Sequence, residues 1–146
     1  MKSILHTIFL LSLIMSMNAF SAVDGCSLNV VIDTDSVVPQ KKIKFFEKEI
    51  AKAFKAIPEF ELSEFANTDY EVTLRLGTFW DHHYGSTHAD LSAMISKNGS
   101  PVLFDWHLGN VATDDQKALT YKNIRLVVKD LFKDTLKSCA HLRSKE

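Results

Sequence analysis

Residues 88–108, HADLSAMISKNGSPVLFDWHL, contain two runs of alternating apolar and polar residues on either side of Asn98-Gly99. Asn-Gly favours a two-residue hairpin turn, because both residues of that turn adopt positive φ. A third alternating run lies upstream, in residues 70–80. The stretch therefore predicts a three-stranded antiparallel meander. The side chains predicted to face the core are Tyr70, Val72, Leu74, Leu76 and Trp80 in the first strand, Ala89, Leu91, Ala93 and Ile95 in the second, and Val102, Phe104, Trp106 and Leu108 in the third.

Four further elements surround the meander. Residues 28–33 form a β-branched run typical of a strand, residues 39–57 carry apolar residues at helical spacing, and residues 59–62 predict a short strand. A long helix is predicted from the capping-box sequence that begins at Thr113 to about Cys139. The predicted fold class is α+β with two layers. One antiparallel-rich mixed sheet, in the order strand-helix-short strand-three-strand meander-helix, carries two helices on one face.

The first 21 residues have the organisation of a secretory signal peptide. Lys2 precedes an apolar segment, residues 4–17, which is shorter than the about 20 residues of a membrane span. Small residues then offer a cleavage site after Ser21 or Ala22. We expect a single α+β domain over residues 22–146, exported to the periplasm or secreted. Lipoprotein attachment through Cys26 is less favoured, because Asp24 fits a lipid-attachment sequence poorly.

Charge and cysteine content restrict the partners and the compartment. Removing Lys2 from 17 basic residues leaves 16 against 18 acidic ones, a net charge near −2. Nucleic acid and anionic membrane surfaces favour concentrated positive charge, so we expect neither as a partner. The chain has two cysteines, and an even number in an exported protein favours pairing. A disulfide between Cys26 and Cys139 is predicted.

Residues 80–90, WDHHYGSTHAD, contain three of the six histidines. If Tyr84-Gly85 is a two-residue turn, Asp81 lies directly opposite His88, within bridging distance. With Asn98-Gly99 as the next turn, two cross-strand rows follow, one of Phe79, Asp90 and His107 and one of Arg75, Met94 and Leu103. All of these side chains are predicted on the sheet face that points away from the helices.

Three interpretations of this face are open. It is a solvated hairpin with Asp–His pairing, a surface that binds a partner, or a site for zinc or another divalent metal formed by Asp81, His88, Asp90 and His107. Apolar side chains on the same face favour a partly covered surface. The predicted binding residues are Phe79, Asp81, His83, His88, Asp90, Met94, Leu103 and His107.

Motifs of enzymes are otherwise lacking. The sequence has no Gly-x-Ser-x-Gly elbow, P-loop or dinucleotide-binding glycine pattern. Cysteines paired in a disulfide cannot act as nucleophiles. Asp33 and Asp35, at the end of the first predicted strand, are suited to acid–base work but also to capping a turn. We therefore expect a protein that is not an enzyme and has no cofactor.

The segments LNVVIDTD (residues 28–35), TDYEVTLRLGTF (residues 68–79) and NGSPVLFDWHLG (residues 98–109) resemble envelope domains. The similar proteins are penicillin-binding-protein activator lipoproteins, curli-secretion lipoproteins and the amino-terminal domain of the Tol-Pal translocation protein. The chain has Ile32-Asp33-Thr34 where those domains have Pro-Phe after the first strand. The resemblance implies a periplasmic domain that binds another envelope protein, and it assigns no role to any residue.

The leading hypothesis is a small periplasmic protein-binding domain, an accessory or immunity-like inhibitor of an envelope or exported protein, present as a monomer or homodimer. The alternative is a metal-binding protein or metal-dependent hydrolase that uses the Asp/His-rich hairpin face. A carrier of a small ligand between sheet and helices is a third possibility. It conflicts with the bulky residues Trp80, Phe104 and Trp106, which are predicted to fill the interior.

Overall fold

The computed structural model describes residues 25–63, 67–83, 85–109 and 119–146. The strands are β1 (Cys26–Thr34), β2 (Phe60–Leu62), β3 (Tyr70–Asp81), β4 (Ser86–Lys97) and β5 (Ser100–Gly109). The helices are α1 (Gln40–Lys55), α2 (Tyr121–Asp130) and α3 (Cys139–Arg143), and a π-helical turn (Leu131–Thr135) follows α2. In the parts of the chain that are described, no helix is long and apolar enough to cross a membrane.

The five strands form one mixed sheet in the order β2-β1-β3-β4-β5. β1 runs parallel to both β2 and β3, while β3, β4 and β5 form an antiparallel meander. The helices pack against one face of this sheet, hereafter the inner face. The predicted two-layer α+β class is therefore confirmed, and the helical layer additionally contains the π-helical turn and the short α3.

The core lies between the inner face and the helices. α1 begins after Pro39, whose fixed φ is compatible with a helix start, and it buries Phe46, Ile50 and Phe54. The inner positions predicted for the first two meander strands are buried from Tyr70 to Leu76 and from Ala89 to Ile95. The predicted Cys26–Cys139 disulfide is present, with Cα atoms 5.8 Å apart. It joins β1 to α3 and so links the two layers.

The prediction for β5 is wrong, because its two faces are exchanged. Lys97 pairs with Ser100 and Ser96 with Pro101, but Ile95 then pairs with Leu103, which leaves Val102 as an extra residue. A one-residue bulge turns every later side chain over. Phe104 and Trp106 therefore point away from the helices and are 67% and 51% exposed. The residues that face the helices are Leu103, Asp105, His107 and Gly109.

Other boundaries also differ from the prediction. Pairs across the β3–β4 hairpin are offset by two residues, so His88 lies opposite Phe79 and Asp90 opposite Gly77. The parity is unchanged, which is why the predicted faces of β3 and β4 survive. Trp80 was predicted to be inward but is 41% exposed near the strand end.

The last long helix begins at Tyr121. The hydroxyl of Thr120 caps it by accepting the Asn123 N–H at 3.1 Å. The predicted capping box at residues 113–116 and the predicted signal peptide lie outside the described residues.

Candidate functional site: the outer face of the sheet

The outer face is the side of the sheet that points away from the helices, and two cross-strand rows form its centre. One row contains Val31, Thr73, Met94 and Phe104, and the next contains Asp33, Arg75, Ser92 and Trp106. Among the described residues, five large apolar side chains of the outer face are exposed to solvent: Val31, Phe79, Met94, Phe104 and Trp106. Met94 pairs directly with Phe104, and Trp106 follows two residues later on the same face of β5, so these three form a contiguous apolar patch of the kind that marks an interaction surface. Val31 and Phe79 are exposed at separate positions of the same face.

Beside this patch lies an open pocket of about 430 Å³. Gly77 forms its floor, since a Cβ at that position would lie 2.5 Å from Asp35 Oδ2 and 3.8 Å from Asp90 Oδ2. Only glycine leaves room for the Asp35 carboxylate in this position. The pocket is lined by Asp35, Arg75, Gly77, Asp90, Ser92, Phe104 and Trp106.

Hydrogen bonds fix the polar groups of the pocket. The Asp35 backbone N–H donates to the Leu76 carbonyl at 3.0 Å, which holds the residue after β1 against β3. Arg75 donates through Nη2 and Nε to Asp35 Oδ1 at 2.6 and 3.1 Å. Its Nε also lies 3.9 Å from Asp33 Oδ2. The hydrogen bond that Arg75 donates to Asp35, followed by the charges of Asp35 and Asp33, raises the pKa of Arg75 above its ordinary value.

Asp90 occupies the other side of the pocket. Its Oδ1 accepts a hydrogen bond from the indole Nε1–H of Trp106, which ties the carboxylate on β4 to the aromatic side chain on β5. Asp90 is partly buried and Trp106 is half exposed. The pocket thus combines two carboxylates, an arginine already paired with one of them, and aromatic walls.

Negative charge dominates the outer face. Its described strand positions and the residue that follows β1 carry six carboxylates and a single Lys or Arg side chain, that of Arg75. The six acidic residues are Asp33, Asp35, Glu61, Glu71, Asp81 and Asp90.

The helices present the opposite charge. α1, α2 and the π-helical turn contain ten Lys or Arg residues against four Asp or Glu. We call their exposed side chains the helix surface. The small net charge of the chain therefore conceals two faces of opposite sign.

The predicted Asp–His pair is present in altered geometry. His88 is only 4% exposed, and its Nε2 lies 2.9 Å from Ser86 Oγ and 3.9 Å from Asp81 Oδ2. Asp81 accepts the backbone N–H of His83 at 2.8 Å, a contact that shapes the hairpin tip. Among the described residues, nothing forms a hydrogen bond with His88 Nδ1. His88 is thus a buried, structural part of the outer face, and His83 lies at the exposed tip.

Two predicted site residues lie on the other face. The bulge places Leu103 and His107 toward the helices, opposite Ile95 and Leu91. The predicted row of Phe79, Asp90 and His107 is therefore not formed, and neither is the row of Arg75, Met94 and Leu103. The four predicted metal ligands do not converge, since the sheet separates His107 from the other three. Within the described ranges, no three Asp, Glu, His or Cys side chains are placed to hold a metal ion.

His107 instead belongs to a polar cluster that the sequence did not predict. The Thr135 hydroxyl donates to Asp105 Oδ2 at 2.5 Å, and His107 Nε2 lies 3.1 Å from Thr135 Oγ1. Because the single hydroxyl proton is used toward Asp105, the His107 ring donates through Nε2–H. Thr135 is fully buried, so its hydroxyl is inaccessible to a substrate. The cluster is a structural link between β5 and the π-helical turn.

Competing effects act on the Asp105 carboxyl. Burial alone would raise its pKa. The hydrogen bonds from Thr135 and the Trp106 backbone, with the nearby His107, outweigh burial and hold the pKa of Asp105 below its ordinary value of 3.8. The ionised carboxylate is therefore the form that this cluster stabilises.

Sequence reasoning identified Phe79, Asp81, His83, His88, Asp90 and Met94 as outer-face residues but missed the exposed Phe104 and Trp106. For Asp35 it predicts only a carboxylate pair with Asp33 at the end of the first strand. One signal was present for the missed bulge: Pro101 stands at the start of β5, and proline is found in sheets mainly on edge strands and at bulges.

No protein-family model and no curated protein matches the chain. Among solved structures, a PelC dodecamer from Paraburkholderia phytofirmans is similar to it, with a TM-score of 0.47 and 11% sequence identity. The similarity covers 73% of this chain and 82% of that chain.

Proposed function

We propose that this chain is an exported protein-binding domain, an accessory or immunity-like inhibitor of an envelope or exported protein, and that it binds its partner through the outer face. It acts by contact and not as an enzyme. The observation that carries the proposal is the exposure of Met94, Phe104 and Trp106 as neighbours on one side of the sheet. Aromatic residues and methionine are enriched in protein interfaces, and exposed clusters of them are costly without a partner.

The size of the outer face supports this proposal. Strands spaced about 4.8 Å apart that rise about 3.4 Å per residue give β1 and β3–β5 a footprint of roughly 700 Å². Specific complexes bury about 800 Å² on each partner. The outer face and its rim are therefore large enough for a specific complex. The Cys26–Cys139 disulfide is compatible with export to an oxidising compartment.

Site-specific photo-crosslinking in cells of the source organism tests the proposal. A photo-reactive amino acid replaces Phe104 in one variant and Leu62, which is exposed on β2 away from the patch, in a matched control. We expect one defined adduct at position 104 that purified unlabelled protein competes away, and none at position 62. Equal labelling at both positions, or no adduct at position 104, would contradict binding through the outer face.

A further inference from the structure

The charge of the outer face specifies the chemistry of what binds there. We propose that the partner is a separate protein whose docking segment places a cationic side chain, arginine or lysine, between Asp35 and Asp90, with apolar neighbours against Phe104 and Trp106. This inference rests on the proposed function, since it names the partner class for the same surface.

The first argument is charge complementarity. Arg75 is the one cation among the described side chains of the outer face, and its guanidinium is already engaged with Asp35 and lies near Asp33. The remaining carboxylates leave the face with excess negative charge. An anionic partner would be repelled, whereas a cationic segment gains attraction on approach and in the complex.

The second argument is the shape of the pocket. The absence of a side chain at Gly77 opens the space in which Asp35 and Asp90 approach each other from β1 and β4. The pocket volume of about 430 Å³ exceeds that of a single arginine or lysine side chain and leaves room for its neighbours. A guanidinium or ammonium group entering there would meet carboxylates on two sides. Charge-assisted hydrogen bonds of this kind are stronger than those between neutral groups.

The third argument is the aromatic lining. Phe104 and Trp106 border the same pocket, and the hydrogen bond to Asp90 fixes the Trp106 indole. Cations are attracted to aromatic faces, and apolar residues beside them in a docking segment would cover Met94 and Phe104. A purely apolar partner would desolvate the Asp90 carboxylate without supplying a counter-charge to it, which is unfavourable.

Two matched probes and two matched variants test this inference. The probes are a heptapeptide with a central arginine between leucines and the same peptide with citrulline, which keeps the shape but lacks the charge. The variants are Asp90→Asn in the pocket and Glu47→Gln on the helix surface, where the same loss of charge leaves the pocket unchanged. Amide chemical-shift titrations of the oxidised protein locate and quantify binding.

We expect the arginine peptide to shift amides of β3–β5, the citrulline peptide to bind at least about tenfold more weakly, and Asp90→Asn to lose a similar factor while Glu47→Gln does not. Equal binding of both peptides, or no shift with the arginine peptide at millimolar concentration, would overturn the inference. Unfolding of Asp90→Asn would be visible in the same spectra, in which case Trp106→Leu, which removes the aromatic wall, replaces it.

The crosslinking experiment separates this inference from the proposed function. If the adduct at position 104 persists in an Asp90→Arg background, the outer face binds a protein but not through a cation. That outcome retains the proposed function and removes the inference. An adduct of twice the chain mass identifies a second copy and overturns the separate partner. The proposed function and the inference are both supported if the crosslinked partner differs in mass from this chain and the adduct is lost in Asp90→Arg but kept in Glu47→Arg.

Discussion

The outer face of the sheet and the helix surface cover opposite sides of one small domain, yet they differ in two properties. The outer face exposes clustered apolar side chains and carries six carboxylates against one arginine. The helix surface is rich in lysine, and a lysine side chain of the same surface covers its exposed aromatic ring. Lys42 Nζ lies 3.3 Å from the centre of the Tyr121 ring. Lysine-rich helices are typical solvated surfaces, whereas acidic, apolar sheet faces are not.

The difference shows that net charge is a poor guide to the partners of this chain. A value near zero excludes a uniformly charged protein, but it does not describe surfaces that are separately acidic and basic. The helical periodicity of α1 places all of its lysines except Lys42 together on the side opposite Phe46, Ile50 and Phe54. The outer face collects its carboxylates from strands that are distant in sequence, so only the strand pairing reveals their proximity.

The largest loss of stability is expected when the disulfide that links the two layers is removed. Replacing both Cys26 and Cys139 by serine opens a link spanning 113 residues and should lower the free energy of unfolding by about 2–5 kcal/mol. Urea denaturation of the variant and of the oxidised and reduced wild type measures it. Reduced wild type should match the variant. If reduction leaves the urea midpoint unchanged, the disulfide is not a principal link between the layers.

A second test inserts the same methyl group on each side of the sheet. At Gly109 a Cβ would lie 2.6 Å from the Asn123 carbonyl oxygen, so α2 would have to move. At Gly77 the close atom belongs to the Asp35 side chain, which can rotate. We expect Gly109→Ala to cost about 1–3 kcal/mol of stability and Gly77→Ala to cost less than about 0.5 kcal/mol.

Thermal and urea unfolding of the two glycine variants check this expectation. Gly77→Ala should nevertheless weaken peptide binding on the outer face, because the rotated carboxylate leaves the pocket. Similar stability losses in both variants would indicate that the outer face is as tightly packed as the core.

The extent to which the sequence predicts this structure changes from strand to strand. In β3 and β4 most apolar residues share one parity, with Phe79 and Met94 as the exceptions, so the alternation determines the buried face. An error of two residues in the turn leaves that parity unchanged. In β5 both parities carry bulky residues, with Leu103 and His107 on one and Phe104 and Trp106 on the other. The apolar alternation favours the parity of Phe104 and Trp106, which also includes Val102 and Leu108. The bulge at Val102 overrides that preference and determines the faces.

The sequence predicts the candidate site only in part. The alternation placed Phe79, Asp90 and Met94 on the outer face, but the pocket was not predicted, because it depends on the pairing of β1 with β3. That long-range contact brings Asp35 over Gly77, and no local pattern indicates it. The predicted set of four metal ligands depended on the register of β5, and the bulge places His107 on the other face of the sheet from Asp81, His88 and Asp90.

A third prediction concerns the cluster behind the sheet. Thr135→Val keeps the shape of the side chain but leaves Asp105 without the hydroxyl, and we expect a loss of about 1–3 kcal/mol near neutral pH. Because the pKa of Asp105 is lowered in the folded protein, its contribution is present above the ordinary value of 3.8 and is lost as the pH falls through the lower folded value. The stability difference between wild type and variant should therefore shrink below about pH 4.

Urea denaturation at a series of pH values measures that difference. Thr120→Val, which removes the hydroxyl that caps α2, is the matched control, since its effect does not pass through Asp105. If the difference in the free energy of unfolding between wild type and Thr135→Val stays constant from pH 7 to about pH 3, the hydroxyl does not act through the ionised carboxylate.

The smallest effect on stability is expected on the outer face, and it distinguishes the two possible faces of β5. Phe104→Ser should change the free energy of unfolding by no more than about 0.5 kcal/mol, because the ring is largely exposed. Leu103→Ser, one residue away, removes a side chain that packs against the core and should cost about 1–3 kcal/mol. The unbulged register predicts the reverse order. Equilibrium unfolding of the two variants therefore tests whether Phe104 is available to a partner, and a larger loss in Phe104→Ser would return that side chain to the core.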